Sequence, residues 1–147
     1  MVAGVVLALA LAGTYAGLRS GGGDTAAKGA EQGASIPSLV TAAGLEQRAG
    51  VRITHVALSG AGGLLDVRYQ VIDPEKAVAL HESRPQLVDE TTGVVVDQLF
   101  MGHSHSGPLH AGETYFLLFE NPGSLVRHGT QVTVALGGLR VAHVAVE

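Results

Sequence analysis

Residues 64–72 read LLDVRYQVI. Leu65, Val67, Tyr69 and Val71 fall on one face of an extended chain, and Asp66, Arg68 and Gln70 on the other. Side chains of a strand alternate between faces, so this period of two marks a half-buried β-strand. Working upstream across the loop Ser59–Gly63 (SGAGG), residues 51–58 (VRITHVAL) form a second β-branched, partly alternating run. Branching at Cβ restricts the side-chain rotamers and packs well on a pleated surface, so Val, Ile and Thr favour strands. Further upstream, residues 39–48 (LVTAAGLEQR) read as a short helix.

Downstream, Asp73-Pro74-Glu75 opens a helical turn through His81, with Asp as N-cap, Pro at the first position and an acid in the first turn. Strand signals resume at 86–89 (QLVD), and ETTG turns the chain into 94–100 (VVVDQLF) as a hairpin. Residues 114–119 (TYFLLF) are the most hydrophobic run and read as a central strand, ended by the turn Asn121-Pro122-Gly123. The last runs, 130–136 (TQVTVAL) and 139–146 (LRVAHVAV), join at Gly137-Gly138, a dipeptide suited to a tight hairpin. About seven short strands, with turn signals every 8–12 residues or so, predict an all-β, immunoglobulin-like two-sheet β-sandwich over residues 38–147.

Composition limits the functions such a domain can have. Of 147 residues, 46% are hydrophobic but only 4% aromatic, so the apolar mass is mostly Val, Leu and Ala. The net charge is −4 and the nine basic residues are scattered. Neutralising phosphates takes a basic stripe, so nucleic acid is set aside as a partner. The chain has no Cys, which excludes a disulfide framework, thiolate zinc and blue-copper sites and cysteine nucleophiles.

Residues 1–18 contain the uncharged run Val2–Leu18, VAGVVLALALAGTYAGL. As a helix it would span roughly 26 Å against a hydrocarbon core of about 30 Å. The expectation is a membrane anchor or the hydrophobic segment of a signal peptide, with Thr14-Tyr15-Ala16 offering small residues for cleavage. Residues 19–37 (RSGGGDTAAKGAEQGASIP) are rich in Gly, Ala and Ser and read as a flexible linker. The domain is therefore expected to be extracytoplasmic, either membrane-anchored or secreted.

Chemistry concentrates in one loop. Three of the seven histidines, His103, His105 and His110, lie in FMGHSHSGPLH beside Met101. In an extended His103-Ser104-His105, both imidazoles lie on one face with Cα atoms about 6.7 Å apart. Gly102, Gly107 and Pro108 could bend the chain to bring His110 to the same side, and His81 is a conceivable distal ligand. Imidazole suits Cu(II), Zn and Ni, and a thioether suits Cu(I). The candidate metal set is Met101, His103, His105 and His110, with copper the first choice and zinc the second. The alternative for this loop is a structural or partner-facing segment. His55 and His143 read as ordinary strand residues and His128 as an exposed turn residue.

From Met101 to the C-terminus the chain resembles secreted periplasmic copper chaperones of the cupredoxin-like class. Those proteins place a histidine-x-methionine pair before a PL-x-x-G turn, followed by two strands. His103-Ser104-His105 stands in the place of the pair, and Pro108-Leu109-His110-Ala111-Gly112 in that of the turn. The resemblance implies a Cu(I) site. The second ligand is His105 in place of methionine, however, and Met1 and Met101 are the only methionines. That ligand set favours Cu(II) or Zn.

No Gly-rich phosphate loop, G-x-S-x-G elbow or H-E-x-x-H is present. Asp66, Asp89, Glu90, Asp97 and Glu113 sit singly at strand faces and turns, so the chain reads as non-catalytic. Two readings compete: an envelope interaction domain with a protein partner, and an extracytoplasmic copper-binding or delivery protein using the Met101–His110 loop.

Overall fold

The computed structural model describes residues 37–101 and 107–147. Its strands are β1 (Ser38–Val40), β2 (Val51–Ser59), β3 (Leu64–Val71), β4 (Gln86–Asp89), β5 (Val95–Val96), β6 (Thr114–Glu120), β7 (Gln131–Leu136) and β8 (Leu139–Ala145). They form two sheets, β1-β8-β7-β4-β5 and β2-β3-β6. β1 runs parallel to β8, and every other pairing is antiparallel. The expected all-β sandwich is what forms. Three short helices, α1 (Ala42–Ala49), α2 (Pro74–Ala77) and α3 (Ala79–Glu82), occupy connections between strands.

Local chemistry accounts for the element ends. Thr41 caps α1 by accepting the Gly44 N–H at 3.0 Å. Gly50 closes the helix in the left-handed region at φ 66°, and a Cβ there would press into the Asp73 carbonyl. Glycine is needed on both grounds. The Gly50 carbonyl then accepts the N–H groups of Ile72 and Asp73, tying the end of α1 to the end of β3. Asp73 caps α2, with Pro74 at its first position, as the residue types dictate. Gly137 and Gly138, at φ 57° and 74°, make the tight turn from β7 to β8.

The core lies between the sheets. Leu65, Val67, Tyr69 and Val71 of β3 are all buried, as the alternation requires. They pack with Leu87, Leu117, Phe119, Val132, Val134 and Val141 from neighbouring strands and with Leu45 of α1. The Tyr69 and Tyr115 rings stack at 5.9 Å, and burial pushes the Tyr69 phenol up to about 12.

Two local expectations change. The 39–48 helix is β1 followed by α1, because Thr41 caps the helix and leaves residues 38–40 to pair with β8. The 94–100 strand is split. Val95 and Val96 pair with β4 in one sheet, whereas Leu99 bridges Phe119 of β6 in the other. The chain crosses the sandwich at Asp97-Gln98. β6 lies inside its sheet, paired with β3 on one side and with the short 98–100 segment on the other.

Candidate interaction face and histidine loop

β6 is hydrophobic on both faces for two different reasons. Leu117 and Phe119 point into the core, at 4% and 0% exposure. Phe116 points outward and is 48% exposed, and Leu118 beside it is half-buried. The register of β3 with β6 sets Arg68 opposite Phe116 and Asp66 opposite Leu118. Phe100 donates its backbone N–H to the Leu118 carbonyl at 2.8 Å, and Phe100 and Met101 are 54% and 63% exposed. The outward face of the three-stranded sheet thus carries Phe100, Phe116 and Leu118 next to an ion pair, and the exposed Met101 follows Phe100 at the sheet edge. Arg68 gives Asp66 Oδ2 two hydrogen bonds, of 3.0 Å from Nε and 2.9 Å from Nη2, while Asp66 Oδ1 is buried without a hydrogen-bond partner.

The histidine loop leaves from and returns to this same strand. Its first end is held by Phe100 on Leu118. At the other end the His110 N–H donates to Tyr115 Oη at 2.9 Å, and that hydroxyl donates to Glu113 Oε2 at 2.9 Å. Leu109 is buried in the core just before that point. The described flanks on either side of residues 102–106 are thus each tied to β6, one through Leu118 and the other through Tyr115. Of the sequence-predicted ligands, Met101 and His110 are exposed on these two flanks. His103 and His105 lie outside the described residues, as does the side chain of His81. Among the described residues no three of His, Cys, Asp or Glu are grouped to hold a metal ion.

Two of the acids that sit singly in the sequence, Asp89 and Glu90, organise the backbone around them. Asp89 is 1% exposed, and its Oδ1 accepts the Thr91 N–H, the Thr92 N–H and the Thr92 hydroxyl, which builds the β4–β5 turn. Although burial opposes ionisation, these bonds hold the Asp89 carboxyl below the usual carboxylate range. Glu90 reaches across β7 to β8. It accepts the Thr133 hydroxyl at 2.8 Å, the His143 N–H at 2.7 Å and His143 Nδ1 at 2.8 Å. His143 is therefore no ordinary strand residue. It sits in a β-bulge at φ 62°, a conformation that costs side-chain-bearing residues.

His55 is half-buried in β2 with Nδ1 3.4 Å from Glu147 Oε2, and His128 is exposed. Among the described residues no helix is long and apolar enough to cross a membrane, and the 1–18 segment lies outside them. No protein family model, curated protein or solved structure matches the chain.

Proposed function

We propose that this chain is an exported, non-catalytic, immunoglobulin-like interaction domain of the cell envelope, attached to the membrane through residues 1–18, that binds a protein partner with the outward face of its three-stranded sheet. The observation that carries the reading is the exposed group Phe100, Met101 and Phe116 beside Arg68. Aromatic residues, Met and Arg are the types enriched at interface centres. Contiguous exposed apolar groups of this kind mark contact sites more often than they occur on inert surfaces.

The immunoglobulin-like assignment is supported by strand order. β2-β3-β6, with residues 98–100 on its edge, corresponds to the ABED sheet. β8-β7-β4-β5 corresponds to the GFC sheet with a C′ strand added. In that scheme the histidine loop connects strands D and E.

The test is a photo-crosslinking residue placed at position 100 in the full chain, expressed in its native cell. A discrete adduct, lost when Met101→Ser and Arg68→Ser are added to a still-folded chain, is the expected result. An absence of adducts at this face, with adducts elsewhere on the domain, would retire it.

A second reading, copper binding by Met101, His103, His105 and His110, is favoured by the way the two loop flanks are fixed to one strand. Calorimetric titration with Cu(II) and Zn(II) tests it. One-to-one binding abolished by His103→Ala with His105→Ala supports a metal carrier. Binding that survives the double substitution ends this reading.

A further inference from the structure

A second surface, on the other sheet, has the makings of a small-molecule site. Between β1, the first residue of α1 and β8 lies a hollow of about 410 Å³. Leu39, Val40, Ala42, Val141 and Ala142 form its apolar wall. Its volume is within the roughly 300–1,000 Å³ of typical ligand sites, which are apolar with a few placed polar groups. Two polar side chains line it, Thr41 and His143. Thr41 Oγ1 is already the acceptor that caps α1. His143 is the one held in an unusual state.

At β8 the ladder shifts: Val132 pairs with Val144 and Val134 with Val141, so Thr133 faces both Ala142 and His143. The bulge puts His143 in the left-handed region, where glycine is the usual occupant. Glu90 stabilises it there by accepting both the backbone N–H and the ring nitrogen Nδ1. An ionised carboxylate can only accept, so Nδ1 carries the hydrogen and, in the neutral ring, Nε2 keeps its lone pair. The ring is 75% exposed and its tautomer is set. A strained, clamped imidazole at the rim of an apolar hollow is the kind of local cost that accompanies function.

The chemistry of the hollow narrows the occupant. The Glu90 carboxylate, 2.8 Å from the ring, repels a carboxylate or phosphate. The aliphatic wall penalises a bare ammonium, which would lose its hydration without replacement. What remains is a neutral apolar body with one hydrogen to give. A rigid ring provides apolar area with few rotors to freeze.

We propose that the hollow at Leu39–Ala42 and Val141–His143 binds a small apolar ring carrying one N–H or O–H donor, of the indole or phenol class, with His143 Nε2 accepting that hydrogen. The site is independent of the interaction face, which lies on the other sheet.

Indole is a direct probe, because the chain has no Trp and its emission can be excited without the protein's. Titrating indole with the whole chain should give a saturable blue shift. 3-Methylindole, which keeps the N–H, should bind comparably. 1-Methylindole, which lacks it, should bind about 3- to 10-fold more weakly, the loss of one neutral hydrogen bond. His143→Gly suits the left-handed backbone and should bind indole and 1-methylindole equally. Leu39→Asp should weaken all three. The absence of a saturable shift with the unaltered chain would overturn the proposal. So would equal binding of indole and 1-methylindole by that chain, a preference for indole that persists in His143→Gly, or indifference to Leu39→Asp. The comparison of methylindoles needs no variant, so it decides the point even where a substitution disturbs folding.

Discussion

The two sheets turn opposite kinds of surface to solvent. The three-stranded sheet presents Phe100, Phe116 and Leu118, with Arg68 and Asp66 running through them. The five-stranded sheet presents a polar network in which Glu90 joins β4, β7 and β8 through Thr133 and His143. On the first, apolar area remains without a core to bury it. On the second, one carboxylate replaces ladder bonds that a bulge has removed. An exposed apolar face costs the fold little and can serve binding, whereas the network contributes to the fold itself. Substitutions in the two regions should therefore separate stability from binding.

The largest effect should come from removing the scaffold beneath the apolar face. Asn121 is 0% exposed, and its amide donates to the carbonyls of Gly62 and Val126 while accepting the Val126 N–H. It ties the β2–β3 turn to the end of β6. Asn121→Ala leaves these buried groups unpaired, at a cost of about 3 kcal/mol in urea unfolding. A loss below about 1 kcal/mol would mean that water satisfies them.

The network comes next. At position 143 the left-handed backbone should make His143→Gly more stable than His143→Ala by about 1 kcal/mol in paired thermal melts. Equal stability would mean that the bulge rearranges freely.

Acid should weaken the same network. The His143 backbone N–H, with the Thr133 hydroxyl and the His143 ring, holds the Glu90 carboxyl below its ordinary value. Its contribution is present above the unfolded-state value of about 4.3 and is lost as pH falls through the lower folded value. Glu90→Gln should flatten the fall of stability in that acid window. An unchanged acid slope would show that other carboxylates control it.

On the apolar face, Phe100→Ser with Met101→Ser should change stability by no more than about 0.5 kcal/mol, as for exposed positions generally. Met101→Ser with Arg68→Ser should abolish partner crosslinking from position 100. A marked loss of stability would show that these side chains belong to the core. The smallest effect is local: Tyr115→Phe removes the acceptor for the His110 N–H, so that amide should exchange faster with solvent while global unfolding is unchanged.

Much of the architecture is legible in local pattern. The alternation of 64–72 is the core strand β3, ETTG is the β4–β5 turn, and Gly137-Gly138 is the β7–β8 turn. The most hydrophobic strand is the instructive one. TYFLLF reads as central because apolar residues on both faces suggest burial on both. Here one face is core and the other is exposed, so the departure from alternation was the trace of the candidate interaction face. The histidine loop was conspicuous in composition, and its sequence placed Met101 and His110 at its flanks. That both flanks are fixed to β6 follows only from a bridge across the sandwich and a tyrosine hydroxyl.

By itself the sequence determined the all-β character, the turns and the inward face of β3. Those follow from side-chain branching, period-two alternation and the backbone freedom of glycine, all properties of neighbouring residues. Only the tertiary structure decided where the chain crosses between sheets and that Glu90 meets His143, 53 positions away in the chain. Such outcomes depend on which surfaces remain once the core has closed. A bulge, a clamped imidazole or an exposed Phe is fixed by what packs around it, and that information is spread over strands far apart in the chain.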